Sequence, residues 1–595
     1  MTLRAIAGLG GLNVLVLVAG SVLLWGLGAV RWWTDLVRLA GVAYLLGLAS
    51  LMVALTLELV VGVPIGAASG AVTVVGIGVA GLVLGWRRRV EPPARRQASS
   101  RLPRLTLLAG LSVAGIVAYF AGMFRAARLS STLGEWDGWW FWVPKAKAIY
   151  FFGDLDPQLL AFLTNPSYPP GLPAFHSLAF QAMGSPDDVT LHLQYWVYAV
   201  AFTAALVGLL ATRVRQNILF PLVLPLLLTP SFVTRGTWTY ADLPLGYLVA
   251  VAAVLVLLWA RERQGWQLVV ATVLLSGAAV TKREGVLLAG CVVLAGFAAS
   301  WTTRRSAWPR LAASGLAVVA LALPWVIWRV ANGLPSDAPG GGPLGGLTYS
   351  ERGWPTVRLV VTTLFDTEFW LLVPAVAAVA TVLALAARYW AGAIYASTFA
   401  CAAAVVATGA IWSVPTFPIS QDDSVNPIVR LTGTSILVLA ALTPLLLENA
   451  WRASSREAAR GPGAIGAVLD WRSRGAWVFV LVLVLAYPVS IAVGYSGKGL
   501  PGGLPRFPSE QDCRPAPVAG EEARLVVGHA GSYPAAHALA KQAQDAGVGP
   551  VAVAQDGCGG VRVSVDAIAT VAEAERLADR LRAVGLEPTL ETQDG

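Results

Sequence analysis

The chain has 595 residues, 56% of them hydrophobic and only 13% charged, with a formal net charge of +9 and a mean hydropathy of +0.65. Burial in a water-soluble core saturates with chain length, so this much apolar surface excludes a soluble protein. The basic excess lies in loops between apolar runs; it reads as a topology signal, and nucleic acid is excluded as a partner.

Apolar runs of membrane-crossing length recur along the chain, and roughly fourteen candidate spans follow from them. They lie near residues 6–30, 37–61, 64–86, 105–125, 191–212, 217–234, 242–260, 267–281, 285–302, 310–330, 366–387, 391–413, 428–448 and 476–495. The first has the look of a signal peptide but lacks a cleavage site and opens a series of spans, so it is expected to be retained. Basic loops carrying Arg87, Arg88, Arg89, Arg95, Arg96, Arg101 and Arg104, then Arg304, Arg305 and Arg310, then Arg452, Arg456, Arg460, Arg472 and Arg474 fall on one face by span counting. That face is expected to be cytoplasmic. Residues 126–190, 332–365, 414–427 and the tail from 496 then lie outside. Cys291 and Cys401 fall within spans as small apolar packers, while Cys513 and Cys558 in the outer tail are expected to form a disulfide.

The long loop 126–190 opens with GEWDGWWFWVPKAKAIY, residues 134–150. Its indoles suit an amphipathic helix lying at the membrane interface. An aromatic belt alone does not account for Glu135 and Asp137, or for Lys145 and Lys147 after them. Next comes NPSYPPGLPAFH, 165–176, where Pro169, Pro170 and Pro173 set a bent path carrying Tyr168 and His176. His176 reads as a packing or hydrogen-bonding residue, since no second His stands at metal-ligand spacing. TRGTWTYADLPLGY, 234–247, brings Arg235, Tyr240 and Asp242 to the same face. TKREG, 281–285, joins two spans with almost no loop, so Lys282, Arg283 and Glu284 crowd the membrane edge, which is costly unless they are paired or used. SQDDSVNP adds Asp422 and Asp423, with Arg430 just inside the following span.

Together these pieces resemble the GT-C superfamily of integral-membrane glycosyltransferases, in particular its protein mannosyltransferase and aminoarabinose transferase branch. The resemblance covers residues 105–450. Such enzymes carry an acidic pair in their first large outer loop and take sugar from a polyprenyl-phosphate carrier. Glu135-Trp136-Asp137 occupies that position, Tyr168-Pro169-Pro170 looks like the loop's tyrosine–proline element, and Lys282 is similar to the basic residue that meets the lipid phosphate. The three spans before the acidic loop depart from the usual arrangement, in which that loop follows the first span. The implied donor is a polyprenyl-phosphate sugar and the acceptor a glycan, lipid or protein.

The residue types suit that chemistry. A sugar on phosphate is already activated, so transfer needs a base for the acceptor hydroxyl and positive charge on the leaving phosphate. Asp137 is expected to be the base, with Glu135 positioning the acceptor or tuning the base. Lys282 and Arg283 are expected to bind phosphate, with Lys145 as a third cation and Arg430 approaching from the far side. Tyr168, Tyr240 and Asp242 line the cavity, and Glu284 completes the corner. Carboxylates facing phosphate suit Mg²⁺ or Mn²⁺, so a divalent cation stays open as a cofactor, although nothing forms a dedicated ligand set.

After a linker rich in Gly and Pro, 496–523, composition shifts to ordinary α/β material over 524–595. An internal repeat there superposes Ala536 on Ala574, Leu539 on Leu577, Ala540 on Ala578, Gly547 on Gly585 and Pro550 on Pro588. Two strand–helix halves predict a small ferredoxin-like β-α-β-β-α-β domain. It resembles the SPOR domain, which implies contact with peptidoglycan; a module that packs on the membrane part or binds a partner protein remains the alternative.

The expected architecture is therefore a polytopic α-helical membrane protein of about fourteen spans, GT-C-like over 105–495 after an N-terminal helical part, 1–104, with a ferredoxin-like extracytoplasmic domain at the C-terminus. High Ala, Gly, Val, Arg and Trp usage points to a bacterial cytoplasmic membrane, with site and tail on its outer face. The rival readings are a transporter or flippase of lipid-linked glycan, a polymerase or ligase of such glycans, and a non-catalytic envelope scaffold. A transporter would show polar residues at the bilayer midplane, whereas here the polar groups are expected at one face.

Overall fold

The computed structural model of the chain describes residues 1–91, 105–130, 133, 135, 137–163, 165–303, 305–334, 350–413, 427–458, 523–530, 533–555, 561–568 and 570–592. Five helices come first: α1 (Leu3–Gly26), α2 (Trp33–Arg38), α3 (Ala40–Val60), α4 (Ala67–Arg87) and α5 (Leu107–Leu129). A π-helical turn at Gly138–Trp142 then leads into α6 (Val143–Phe152), α7 (Pro157–Phe162) and α8 (Gly171–Met183). Next are α9 (Asp188–Leu210), α10 (Gln216–Leu227), α11 (Pro230–Arg235), α12 (Asp242–Glu262), α13 (Gly265–Thr281), α14 (Glu284–Thr303) and α15 (Trp308–Ala331). The series closes with α16 (Ser350–Leu364), α17 (Thr367–Trp370), α18 (Val373–Ala386), α19 (Trp390–Trp412) and α20 (Pro427–Ala458).

Among the described residues ten helices are long and apolar enough to cross a membrane, and α10, α13 and α18 are shorter apolar helices. The chain is a polytopic helical membrane protein. Every expected span up to 428–448 falls on a helix, and 476–495 lies outside the described residues. Local chemistry sets many of the ends. Asp187 caps α9 by accepting from the Thr190 amide at 3.0 Å, and Gly153 and Gly184 end α6 and α8 in the left-handed region, where a Cβ is penalised.

Two expected spans are broken. The run 217–234 becomes α10 and α11, because Pro221 and Pro225 lie within α10 and Pro230 opens α11. At 12 residues α10 is about 18 Å long, too short to cross alone. The run 366–387 becomes the single turn α17, capped by Asp366, and α18, with Leu371 at a φ of 55° between them.

Burial sorts inner helices from outer ones. The apolar window of α12 is 94% buried and that of α20 83%, against 17% for α4. Helix α12 is thus the centre, packed on α9, α13, α14 and α20. The outer helices α4 and α15 turn Val72, Val75, Leu82, Leu316 and Ile327 outward, surface that lipid tolerates and water does not. Small residues let helices approach closely: a Cβ on Gly20 of α1 would stand 1.8 Å from the Ala43 carbonyl oxygen of α3.

The polar groups are not confined to one face. Asn13 of α1, Tyr44 of α3 and Gln194 of α9 form a buried triad inside the spans. Tyr44 donates to Asn13 Oδ1 at 2.5 Å, and Gln194 Nε2 donates to the Tyr44 hydroxyl at 2.8 Å. Apolar surroundings strengthen such bonds, and leaving any of these atoms unpaired there would be costly.

The C-terminal part comprises β1 (Ala523–Ala530), α21 (Tyr533–Asp545), β2 (Ala552–Gln555), β3 (Val561–Ile568), α22 (Val571–Ala583) and β4 (Thr589–Thr592). Its sheet has the order β2-β3-β1-β4, with antiparallel neighbours. The β-α-β-β-α-β arrangement read from the repeat is present, and it opens at Ala523. Repeat-equivalent Ala536 and Ala574, and Ala540 and Ala578, are buried against Leu525, Val563 and Val565. Gly547 and Gly585 both adopt positive φ after the helices, which explains the repeated closing glycine. Cys513 and Cys558, the expected disulfide pair, lie outside the described residues, as do Asp422 and Asp423. Of the two thiols within spans, Cys291 is buried and Cys401 is exposed, so only the first is an interior packer.

Candidate functional site

Several helix termini converge beside the loop that follows α5. Asp242 is the first residue of α12 and Glu284 the first of α14, positions where the helix dipole favours an acid. Lys282 caps the C-terminus of α13, where the dipole favours a cation. Arg430 lies in the first turn of α20, where it does not; two carboxylates offset that cost.

Those carboxylates belong to Asp137 and Asp242. Arg430 Nη2 is in direct contact with Asp137 Oδ2, and its Nε reaches Asp242 Oδ2 at 2.9 Å. The other oxygen of Asp242 takes Lys282 Nζ at 2.7 Å, and that ammonium lies 3.7 Å from Glu284 Oε1. The result is a ladder of alternating charge, Asp137–Arg430–Asp242–Lys282–Glu284, running from the loop across four helix ends. Asp137, Asp242 and Lys282 are each buried, so every rung depends on its neighbours.

Tyr168 gathers the remaining cations. Arg283, Lys282 and Lys145 lie 5.1, 5.6 and 6.0 Å from its ring centroid, and its hydroxyl donates to Glu284 at 3.4 Å. Burial pushes the Tyr168 phenol up to about 12, so it stays a neutral donor. Lys145 also donates to the Asn165 carbonyl at 2.5 Å, tying α6 to the segment that carries Tyr168. Burial would lower the Lys282 pKa, but Asp242 and Glu284 outweigh it and hold the ammonium above its ordinary value.

A narrow cleft adjoins the ladder, lined among others by Trp238, Tyr240, Trp370, Arg235, Asp242 and Arg430. Tyr240 lies beneath the Arg430 guanidinium, 4.7 Å from ring to cation, and its hydroxyl accepts from the Asp137 amide at 3.2 Å. Arg235 is buried too; burial and the nearby Arg430 push its guanidinium down to about 10.

Glu135 lies apart from this ladder. Its Oε1 accepts from the Thr239 amide at 2.7 Å and the Thr239 hydroxyl at 2.5 Å, with His192 Nε2 at 3.5 Å. Burial alone would raise its pKa, but His192 and Thr239 together hold it below the usual carboxylate range. The two acids of the E-x-D motif thus have different partners. Gly138 makes the packing possible: a Cβ there would stand 2.2 Å from Thr239 Oγ1 and 2.7 Å from Glu135 Cγ. Gly138→Ala is expected to destabilise the fold by about 1–3 kcal/mol, measured by unfolding in detergent. A variant as stable as the parent would contradict this packing.

In the Trp-rich stretch a π turn leads into α6, which packs on α8, with Trp142 and Lys145 almost wholly buried and Trp140, Phe151 and Phe152 exposed. The π turn is itself a form that recurs at functional sites. Lys147 is spent on Asp188 at 2.6 Å. His176 is buried and meets the Tyr198 hydroxyl at 3.4 Å, as a hydrogen-bonding packer should. All ten site residues read from the sequence, Glu135, Asp137, Lys145, Tyr168, Tyr240, Asp242, Lys282, Arg283, Glu284 and Arg430, are brought together in this region. His192, Thr239 and Trp370 were not among them; the acid at Asp188 and the His one turn later were the visible trace of the first. Among the described residues no group of three or more His, Cys, Asp or Glu side chains is placed to hold a metal ion.

Fold and site define a polytopic helical membrane protein with a buried ladder of ion pairs beside an aromatic cleft. No protein family, curated protein or solved structure matches the chain.

Proposed function

We propose that this chain is a membrane glycosyltransferase of the GT-C kind, moving a sugar from a polyprenyl-phosphate donor to an acceptor hydroxyl with inversion. The observation that carries the reading is the ladder Asp137–Arg430–Asp242–Lys282–Glu284 beside the cleft of Trp238, Tyr240 and Trp370. Cations held by acids can exchange a carboxylate for a phosphate, and aromatic faces suit the C–H surface of a sugar. In the reaction the acceptor oxygen loses its proton to Asp137 and attacks the anomeric carbon. The bond from that carbon to the phosphate oxygen breaks, and the electron pair leaves with the polyprenyl phosphate. Lys282, Arg283 and Arg430 stabilise the charge that develops there. Any divalent cation would have to bind through these same acids and the phosphate.

The reading puts the site on the outer face of a bacterial cytoplasmic membrane, as the basic loops suggest. The C-terminal domain would then also be outside, where a SPOR-like β-α-β-β-α-β unit would contact peptidoglycan. Purified protein in nanodiscs, given radiolabelled polyprenyl-phosphate monosaccharides, tests the assignment. Wild type is expected to transfer or release sugar and Lys282→Ala to raise the KM for the carrier. If no carrier binds, the reading fails.

Transport of lipid-linked glycan is the second reading, favoured by one observation: the Asn13–Tyr44–Gln194 triad lies within the spans, where transporters keep polar groups. The triad is closed on itself by hydrogen bonds, which suits a structural clasp.

A further inference from the structure

Glu135 and His192 come from separate elements, the loop after α5 and the second turn of α9, and both are buried. Every donor to Glu135 among the described residues falls on one oxygen: the Thr239 amide, the Thr239 hydroxyl and His192 Nε2 all converge on Oε1. The other oxygen, Oε2, has no partner among them. On its own helix His192 also meets the backbone of Val189, one turn back. The charged groups that act on it are Glu135 from the loop and Asp188 from its own helix, the latter held by Lys147 of α6. A buried imidazole held between a carboxylate and the backbone of its own helix has a fixed orientation, and burying its polar atoms costs free energy that an apolar side chain would not.

We propose that His192 is a positioning residue: it fixes the carboxylate of Glu135 so that Oε2 is presented to the acceptor, while Asp137 handles the proton. The inference rests on the glycosyl-transfer reading and divides the labour of the acidic pair. Thr239 and Gly138 set the position of Glu135, and His192 sets its orientation. Asp137, held by Arg430 and not by His192, is not governed by the imidazole.

The test uses full-length protein in nanodiscs with His192→Leu, His192→Gln, Glu135→Gln and the His192→Leu/Glu135→Gln double variant. His192→Leu is expected to lower kcat on the order of 10²-fold, with the KM for the carrier unchanged. His192→Gln, which keeps an N–H donor, is expected to recover most of that loss. In the Glu135→Gln background His192→Leu is expected to cost nothing more, as for two residues acting as a unit. Fully additive losses, or a His192→Gln variant as impaired as His192→Leu, would overturn the role.

A second readout is independent of turnover. The chain has 4 His, so ¹⁵N-histidine labelling yields few resonances, and Glu135→Gln is expected to shift that of His192. If transfer occurs without that shift, the positioning role falls alone. If the shift appears but wild type transfers nothing, the glycosyl-transfer reading falls and the positioning role with it.

Discussion

Asp242→Asn is expected to destabilise the protein by about 3–5 kcal/mol, the cost of removing one partner from a buried ion-pair network. Asp242 accepts Lys282 on one oxygen and Arg430 on the other, at 2.7 and 2.9 Å, and is buried with them. An amide there leaves two cations, with Arg235 nearby, facing only Asp137 and Glu284. Little water reaches the cluster to compensate. Surface ion pairs contribute far less, so the exposed Arg582–Asp579 pair of α22 should be lost with almost no effect. Unfolding in a graded series of denaturing detergent measures the difference. Asp242→Asn combined with Lys282→Met is expected to regain part of the loss, because the excess charge goes with it. A single variant as stable as the parent would mean that the ladder is solvated.

Asp137→Asn is expected to lower turnover by about 10²–10⁴-fold, the usual contribution of a general base, while the carrier binds at least as tightly as before. The second half of this expectation follows from the geometry. Asp137 is in contact with Arg430, so in this state the proposed base and the proposed phosphate-binding cation occupy each other. A phosphate arriving at Lys282, Arg283 and Arg430 competes with that carboxylate and releases it. On the glycosyl-transfer reading the proposed base would be exposed only once the donor is seated, which predicts ordered binding with the donor first. Removing the charge from residue 137 removes the internal competitor for Arg430. Equilibrium binding of a sugar-free polyprenyl phosphate, compared between wild type and variant, measures this. Weaker binding by Asp137→Asn would show that the carboxylate helps to hold the phosphate, for example through a cation.

Much of the site was legible because the background is so apolar. Charged residues at the ends of spans, such as Asp242, Lys282 and Glu284, are costly and conspicuous there, and the tight corner between α13 and α14 could be counted from two adjoining runs. Their pairing was not legible. Asp137 and Arg430 are 293 positions apart, and no local pattern links them. The partner of Glu135 was hidden for a similar reason: His192 follows a capping acid by one turn and reads as an ordinary helix start. In the Trp-rich stretch indoles suit both an interface and a core, and the sequence does not tell that Trp142 is buried while Trp140 is exposed. The break between α10 and α11 was signalled by Pro221, Pro225 and Pro230, but hydropathy averages across prolines. The tail was the reverse case, since its repeated alanines and glycines mark helix faces and ends directly.

The measurement that tests the central claim most directly follows the fate of a doubly labelled donor, sugar and lipid, in sealed proteoliposomes containing the wild-type protein. The account predicts that the sugar–phosphate bond breaks, so that polyprenyl phosphate accumulates in step with transferred sugar and Asp137→Asn stops both. Intact donor crossing the bilayer with both labels still joined would contradict it and establish transport instead.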